Sequence, residues 1–226
     1  MSLARIIEPE WLDELPPDAP RALRSRRDLR RLNFIMGNAG ILRRQLLLHR
    51  SRPATIVELG AGDGTFMLAL ARRLGIGPVN TILVDRQPNM AEKAQHGLEA
   101  LGWCVEYAVA DVFDWLAKTD RMEVTICNLF LHHLPPPALA ALLAGCAAKT
   151  SLFLACEPAR TRLALGGSHL LGLIGCNDVT RHDAVASVHA GFCRRELSEL
   201  WPDKQAWLLE EHGAGLFSHV FAARRQ

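Results

Sequence analysis

The stretch from Ala54 to Phe66, Ala-Thr-Ile-Val-Glu-Leu-Gly-Ala-Gly-Asp-Gly-Thr-Phe, constrains this chain more than any other. It reads as a buried strand over 54–59, a turn punctuated by Gly60, Gly62 and Gly64, and a helix that begins near Asp63 and runs through Ala71. Glycine at so tight a turn tolerates positive φ and leaves no Cβ in the way, so backbone N–H groups can approach a ligand closely. The stretch therefore predicts a cofactor loop of the nucleotide-binding kind.

Charge narrows the choice of cofactor. A dinucleotide loop would read G-x-G-x-x-G and would set a pyrophosphate on the helix N-terminus. Here Thr65 takes the place of the third glycine, and Glu58 and Asp63 flank the turn, with Asp85 and Asp111 at later strand ends. Carboxylates in these places would repel a pyrophosphate and suit a cationic ligand that carries a sulfonium and an ammonium group. S-adenosylmethionine is such a ligand.

A chain of 226 residues is long enough for one α/β domain with a small cap and short for two full domains. The longest apolar run in the C-terminal half, residues 163–176, is broken by Gly166, Gly167, Ser168 and His169 and is too short to span a bilayer. Glu8, Glu10, Asp13 and Glu14 fall where a signal peptide would need apolar residues, so the expected compartment is cytoplasmic. The six cysteines show no C-x-x-C spacing and read as free thiols, mostly buried. His132 and His133 are adjacent, a poor spacing for two ligands on one helix face, and no metal is implied.

From Arg21 to Arg52 the chain carries ten arginines against the single acid Asp28. This run reads as a solvated helix face, or as a surface for an anionic substrate, a membrane or RNA. The residues before it are acidic and proline-rich (Pro9, Pro16, Pro17, Pro20) and predict an arm laid over the domain. Leu29, Leu32, Ile35 and Met36, then 41–48 after the break at Gly37-Asn38, predict a helical cap. The division is thus an arm and cap over 1–52 and a main domain over 53–226. Asn38 is a polar residue beside an apolar face, a turn former and a candidate contact for the substrate.

Strands follow over 81–84, 103–109, 123–127 and 151–156, separated by helices. Asp85 ends the second strand, where a carboxylate can accept hydrogen bonds from both ribose hydroxyls; a helix N-cap is the weaker alternative, because Arg86-Gln87-Pro88 intervene before the next helix. Arg86 and Met90 then lie beside the adenine and ribose. Asp111 can accept from the adenine amine while the Val112 N–H donates to the ring, or Asp111 can cap the helix over 112–118. Residues 160–190, rich in glycine and polar side chains, read as an insertion over the site, and 206–211 with 216–223 as a closing antiparallel hairpin.

This order of elements, with G-x-G-x-G after the first strand and acids after the second and third, resembles the class I S-adenosylmethionine-dependent methyltransferases over roughly residues 54–224. The resemblance implies a doubly wound, Rossmann-like, seven-stranded and mostly parallel sheet with a C-terminal antiparallel hairpin. It assigns the methionine end of the cofactor to Gly60, Ala61, Gly62 and Asp63 with Glu58 nearby, the ribose to Asp85, and the adenine to Asp111 and Val112. Asn128 and Leu129 would line the side where the methyl group leaves. Leu32-Asn33-Phe34-Ile35-Met36-Gly37 and Leu131-His132-His133-Leu134 are loosely similar to small-molecule enzymes of the ubiquinone and menaquinone type. No Asn/Asp-Pro-Pro-aromatic motif follows the fourth strand, which disfavours methylation of nucleobase amines.

The implied reaction is methyl transfer to a small acceptor, foremost a phenolic or quinone-type hydroxyl. A phenol needs a base near neutral pH, and histidine suits that task. His132, after the fourth strand, and His182, in the insertion beside Arg181 and Asp183, are the candidates, each with a structural role as the alternative. Arg181 and Asp183 join Asn38 as candidate acceptor contacts. An RNA methyltransferase using the arginine face and a non-catalytic module that binds the cofactor or a partner are the rival readings.

Overall fold

The computed structural model describes residues 3–16, 18–49 and 52–226. Pro17 and Arg50, read above with the arm and the arginine run, lie outside them. Its centre is a seven-stranded sheet in the order β3-β2-β1-β4-β5-β7-β6. β1 (Thr55–Leu59), β2 (Asn80–Asp85), β3 (Cys104–Val109), β4 (Met122–Asn128) and β5 (Thr150–Pro158) are parallel. β6 (Trp207–Ala214) and β7 (Ser218–Arg225) form an antiparallel hairpin, and β7 pairs antiparallel with β5.

Period-two alternation feeds two apolar layers, one on each face of the sheet. Ile56, Leu83, Ile126 and Leu154 meet α3 (Asn38–Leu48), α4 (Thr65–Leu74) and α5 (Glu92–Glu99) on one side. Their neighbours Val57, Val84, Cys127 and Phe153 meet α6 (Val112–Lys118), α7 (Pro136–Lys149) and α10 (Glu196–Leu200) on the other. With both faces covered, the parallel strands read as near-continuous apolar runs.

Strand order reverses at β1, whose neighbours are β2 and β4. In open α/β sheets such a switch point opens a crevice beyond the strands' carboxyl ends, and the glycine turn lies there. α4 starts at Thr65, later than the sequence reading near Asp63, because Gly60, Gly62 and Gly64 all take positive φ. β3 starts one residue later than expected because Trp103 turns inward, its indole N–H donating to the Ile76 carbonyl at 2.9 Å.

The stretch over 160–190 is more regular than its composition suggested. It forms α8 (Arg162–His169), a 3₁₀ turn over Leu170–Ile174 and α9 (Asp178–Ala190). Thr161 and Asn177 cap the two helices by accepting from the N–H groups of Ala164 and Thr180. The arginine run lies on α2 (Pro20–Met36) and α3, which join at Gly37 in the left-handed region. Short α1 (Trp11–Glu14) belongs to the arm. All six cysteines are free, but only Cys127, Cys146 and Cys156 are buried, and Cys104 is exposed. No described helix is long and apolar enough to cross a membrane.

Candidate active site

The glycine turn is tied down by its neighbours rather than by its own side chains. Gly60 and Ala61 both donate to the Val84 carbonyl at the end of β2. Gly62 donates to Asp85 Oδ2 at 2.8 Å, and Gln87 donates to Asp85 Oδ1 at 2.9 Å. A carboxylate has about four lone-pair positions, so Asp85 keeps acceptor capacity toward the crevice. Tyr107, which the sequence reading passed over, sets its hydroxyl 2.8 Å from the carbonyls of both Gly62 and Gln87. Burial, then the Asp85 charge, push this phenol up to about 12, so it stays a donor that pins the turn to the loop after β2. The Phe130 ring lies so close over Gly60 that an added Cβ would sit 2.4 Å from it. Met90 packs over Gly64 in the same way.

The acids around the turn do not act as one negative cluster. Asp63 accepts from the Thr65 N–H and hydroxyl and pairs with Arg30 of α2 at 3.1 Å. It therefore links the cap to the first turn of α4. Glu58 is buried, its Oε2 has no hydrogen-bond partner, and burial, then Asp63 and Asp85, raise its pKa well above the usual carboxylate range. Burial thus disfavours the charged form of Glu58 that a cation would favour. Asp111 caps α6, its Oδ1 accepting from Phe113 at 2.8 Å. Val112 is buried behind it and Arg86 is exposed at the rim.

At the end of β4, Asn128 accepts from the Asn38 side chain at 2.9 Å, and Asn38 accepts from the Ser218 hydroxyl at 2.8 Å. Asn38 is fully buried, and both ends of its amide are committed to holding α3, β4 and β7 together. Leu129 follows with φ of 53°, a left-handed value uncommon for a leucine. Glu157 holds this strained connection. Its Oε1 accepts from Phe130 and Leu131, and its Oε2 lies 2.8 Å from His132 Nδ1. Glu157 is fully buried at the end of β5 and was passed over in the sequence reading.

His132 sits between two carboxylates. Its Nε2 faces Glu10 Oε1 at 3.6 Å, and Glu10 also accepts from Ser187 of α9 at 2.5 Å. Burial alone would lower the imidazole, but the hydrogen bonds to Glu10 and Glu157 push it up to about 9. Burial alone would raise Glu10, yet His132 and His133 hold it down to about 2. His133, buried beside that positive charge, falls to about 4. Glu10, His132 and His133 can each offer a ligand atom within 4.8 Å of the others. An imidazolium is not a base at neutral pH, which argues against the catalytic role expected of His132.

The arm is laced across this region. Arg5 donates to the carbonyls of Ala190, His132 and Leu134 and stacks its guanidinium over Phe192. Trp11 and Leu12 donate their N–H groups to the buried Asp183 carboxylate at 2.8 and 3.0 Å. Asp13, raised by burial and by Glu10 and Asp183, also feels Arg86 and Asp85, so this part of the arm runs between α9 and the loop after β2.

His182 has the geometry of a base. Its Nδ1 lies 3.0 Å from Asp183 Oδ1, which favours the tautomer with a free Nε2, and its ring stacks on Trp11 at 3.9 Å. Both rings line a cavity of about 310 Å³ with Ser168, His169, Asp178 and Arg181. Arg181 and His182 thus share a pocket, whereas Asp183 backs it and Asn38 lies in the core.

Residues 56–150, the segment from β1 through α7, match a family model described as a methyltransferase domain. The matched segment, under half of the chain, is similar to a methyltransferase domain, and the sheet around it has the Rossmann-like methyltransferase fold. No curated protein matches its sequence significantly. Among solved structures, this chain superposes on the plantazolicin methyltransferase BpumL, in complex with a triazolic desmethylPZN analog and SAH, with a TM-score of 0.69 at 10% identity over 95% of this chain and 93% of that one. Magnesium protoporphyrin IX methyltransferase (ChlM) from Synechocystis PCC 6803 with bound SAH gives 0.56 at 14% identity, over 84% and 83% of the two chains. An O-methyltransferase family protein from Burkholderia thailandensis gives 0.56 at 18% identity over 77% of this chain; the match spans about half, 52%, of that protein. The seven-stranded order and C-terminal hairpin of the methyltransferase are the fold that the sequence predicted.

Proposed function

We propose that the protein transfers the methyl group of S-adenosylmethionine to the hydroxyl of a small aromatic acceptor, phenolic or quinone-type. The single observation that carries this is the Asp183–His182 pair in a cavity walled by the Trp11 ring. An aromatic wall suits a flat acceptor, and a neutral imidazole oriented by a carboxylate can take a phenolic proton. The acceptor oxygen attacks the methyl carbon, the carbon–sulfur bond breaks, the phenolic proton passes to His182 Nε2, and S-adenosylhomocysteine leaves. The enzyme's main task is to align an acceptor with a donor that already has an excellent leaving group.

In this reading Gly60, Ala61, Gly62 and Asp63 hold the methionine end and Asp85 uses its remaining lone pairs on the ribose hydroxyls. Arg86 and Met90 flank the adenosine, with Asp111 Oδ2 and the Val112 N–H at the adenine. Asn128 and Leu129 border the transferred methyl group. Arg181 contacts the acceptor, while Asn38 and Asp183 act by positioning Asn128 and His182. The neighbours named for protoporphyrin and plantazolicin support an acceptor well below protein size, and the one named as an O-methyltransferase supports an oxygen acceptor. The likeness to ubiquinone and menaquinone enzymes belongs to this proposal and rests on the segments quoted above.

The test is turnover with labelled cofactor across a panel of phenols, quinols and amines. His182→Gln is expected to lower kcat by about 10²- to 10⁴-fold while leaving S-adenosylhomocysteine affinity unchanged. Full activity of that variant on a phenol that the wild type methylates would overturn the assignment.

A further inference from the structure

The 3₁₀ turn after α8 projects aliphatic side chains that the described residues leave largely exposed. Leu173 is 83% exposed, and Leu170 and Ile174 are 59% and 55% exposed. Leu163 on α8 and Leu23 on α2 are exposed as well. Single exposed leucines need no explanation, but several on one turn and its neighbouring helices mark a surface built to meet something apolar.

What surrounds this tip is basic. α2 bears six arginines against the one acid Asp28, which is itself buried. Arg24 donates to the carbonyl of Gly175, the residue that ends the turn, and Arg21 pairs with Asp178 two residues after Cys176. The α2 face is thereby fixed beside the tip. Along its solvent side Leu23, Arg27, Arg30 and Phe34 recur at helical spacing, so apolar and cationic side chains share one exposed stripe.

We propose that the tip at Leu170, Leu173 and Ile174, with the arginine face of α2, seats the enzyme on an anionic lipid bilayer. Aliphatic side chains that enter the acyl boundary and arginines at headgroup level are the two elements of an interfacial anchor, and no described helix can span instead. Nucleic acid would use the arginines but has no use for three exposed aliphatic side chains on a turn. A protein partner would leave the density of positive charge without purpose. The same segment continues into the acceptor cavity: Ser168 and His169 precede the turn, and Arg181, which lines the cavity, packs beneath Gly172. An acceptor with an apolar tail would then pass from the bilayer into the pocket. This last step rests on the function proposed above, whereas the docking itself does not.

Flotation of the whole protein with phosphatidylglycerol/phosphatidylcholine vesicles, and with phosphatidylcholine vesicles alone, tests the proposal. The wild type is expected to float with the anionic vesicles and to be released by high salt. A Leu173→Glu/Ile174→Glu double variant, monitored for unchanged Tm and unchanged S-adenosylhomocysteine binding, is expected to lose at least about tenfold of the bound fraction. Arg27→Glu should weaken binding and flatten its salt dependence. Failure of the wild type to float, or undiminished flotation of the double variant, overturns the proposal. So does a dimer in ultracentrifugation that the double variant dissolves, or RNA that displaces the vesicles and binds the double variant as well as the wild type. If flotation holds while no phenol is methylated, the acceptor reading has failed and the docking surface stands.

Discussion

His132 Nδ1 lies 2.8 Å from Glu157 Oε2, and the glutamate's other oxygen accepts two backbone N–H groups from the residues just before that histidine. One carboxylate at the end of β5 thus fixes both the course of the chain after β4 and the orientation of the imidazole that meets the arm. The imidazole's far nitrogen holds Glu10, so the arm's closure depends on a proton.

Closure of the arm should depend on pH in a defined window. His132, raised from 6.5 to about 9, stabilises the closed arm fully below its ordinary pKa and loses that contribution as pH rises through 9. Glu10, lowered from 4.5 to about 2, contributes above its ordinary pKa and loses that contribution as pH falls toward 2. Exchange protection of the Ile6, Trp11 and Leu12 amides, corrected for intrinsic rates, should therefore be highest between the two ordinary values and fall several-fold by about pH 10. Equal protection at about pH 6 and 10 contradicts the charged latch.

Glu157→Gln should be costly. The amide can still accept from the backbone, but its NH₂ end cannot accept from His132 Nδ1–H, and a buried imidazolium loses a partner. Breaking a buried pair on one side typically costs about 3–5 kcal/mol, and a loss of at least about 2 kcal/mol in denaturant titration is expected. A variant as stable as the wild type would show that the pair holds nothing.

Glu58→Gln separates shape from charge at the end of β1. Because burial disfavours the charged form of this side chain, the isosteric amide should change stability by less than about 1 kcal/mol and S-adenosylmethionine affinity by less than about threefold. Calorimetry that finds a tenfold loss would restore Glu58 as a charged contact.

Asp85→Ala should affect both the turn and the cofactor. Gly62 and Gln87 lose their acceptor. In the proposed site two ribose hydroxyls lose theirs too, so affinity for S-adenosylhomocysteine should fall by about tenfold to a hundredfold at unchanged heat of mixing controls. Equal titration curves for variant and wild type would remove Asp85 from the site.

Gly60→Ala is predicted to act through Phe130. Residue 60 has φ of 73°, and the added methyl would meet the Phe130 ring at 2.4 Å. Strain and displacement together should cost about 1–3 kcal/mol and weaken cofactor binding, read from Tm and calorimetry. Pairing it with Phe130→Ala should recover the steric share and leave the φ penalty.

The sheet and the crevice were legible because their signals are local. Buried strands between turn residues, the glycines at 60, 62 and 64, and an acid at the tip of β2 each announce themselves within a few residues. What escaped was set by partners far along the chain. Nothing near His132 reveals that Glu10 and Glu157 enclose it, so its spacing suited a base while its surroundings make it an acid's partner. Glu58 looked like a charge, but its burial disfavours the charged form. Asn38 looked like a turn former facing the acceptor, and Asn128 and Ser218 turned it inward. The stretch over 160–190 hid two helices because their capping residues, Thr161 and Asn177, stand among glycines and charges that blur helical periodicity. Tyr107 carries no motif; only the pairing of β2 with β3 brings it to the turn.

The arm has a consequence for how the molecule is made. Arg5 finds Ala190 across 185 positions, Trp11 finds Asp183 across 172, and Glu10 finds Ser187 across 177. Residues 5–12 are made well before α9, and the pocket that Trp11 walls in cannot exist until α9 has followed. A nascent chain can complete the glycine turn before α9 exists, but the pocket between Trp11 and His182 closes only when two segments about 170 positions apart have met.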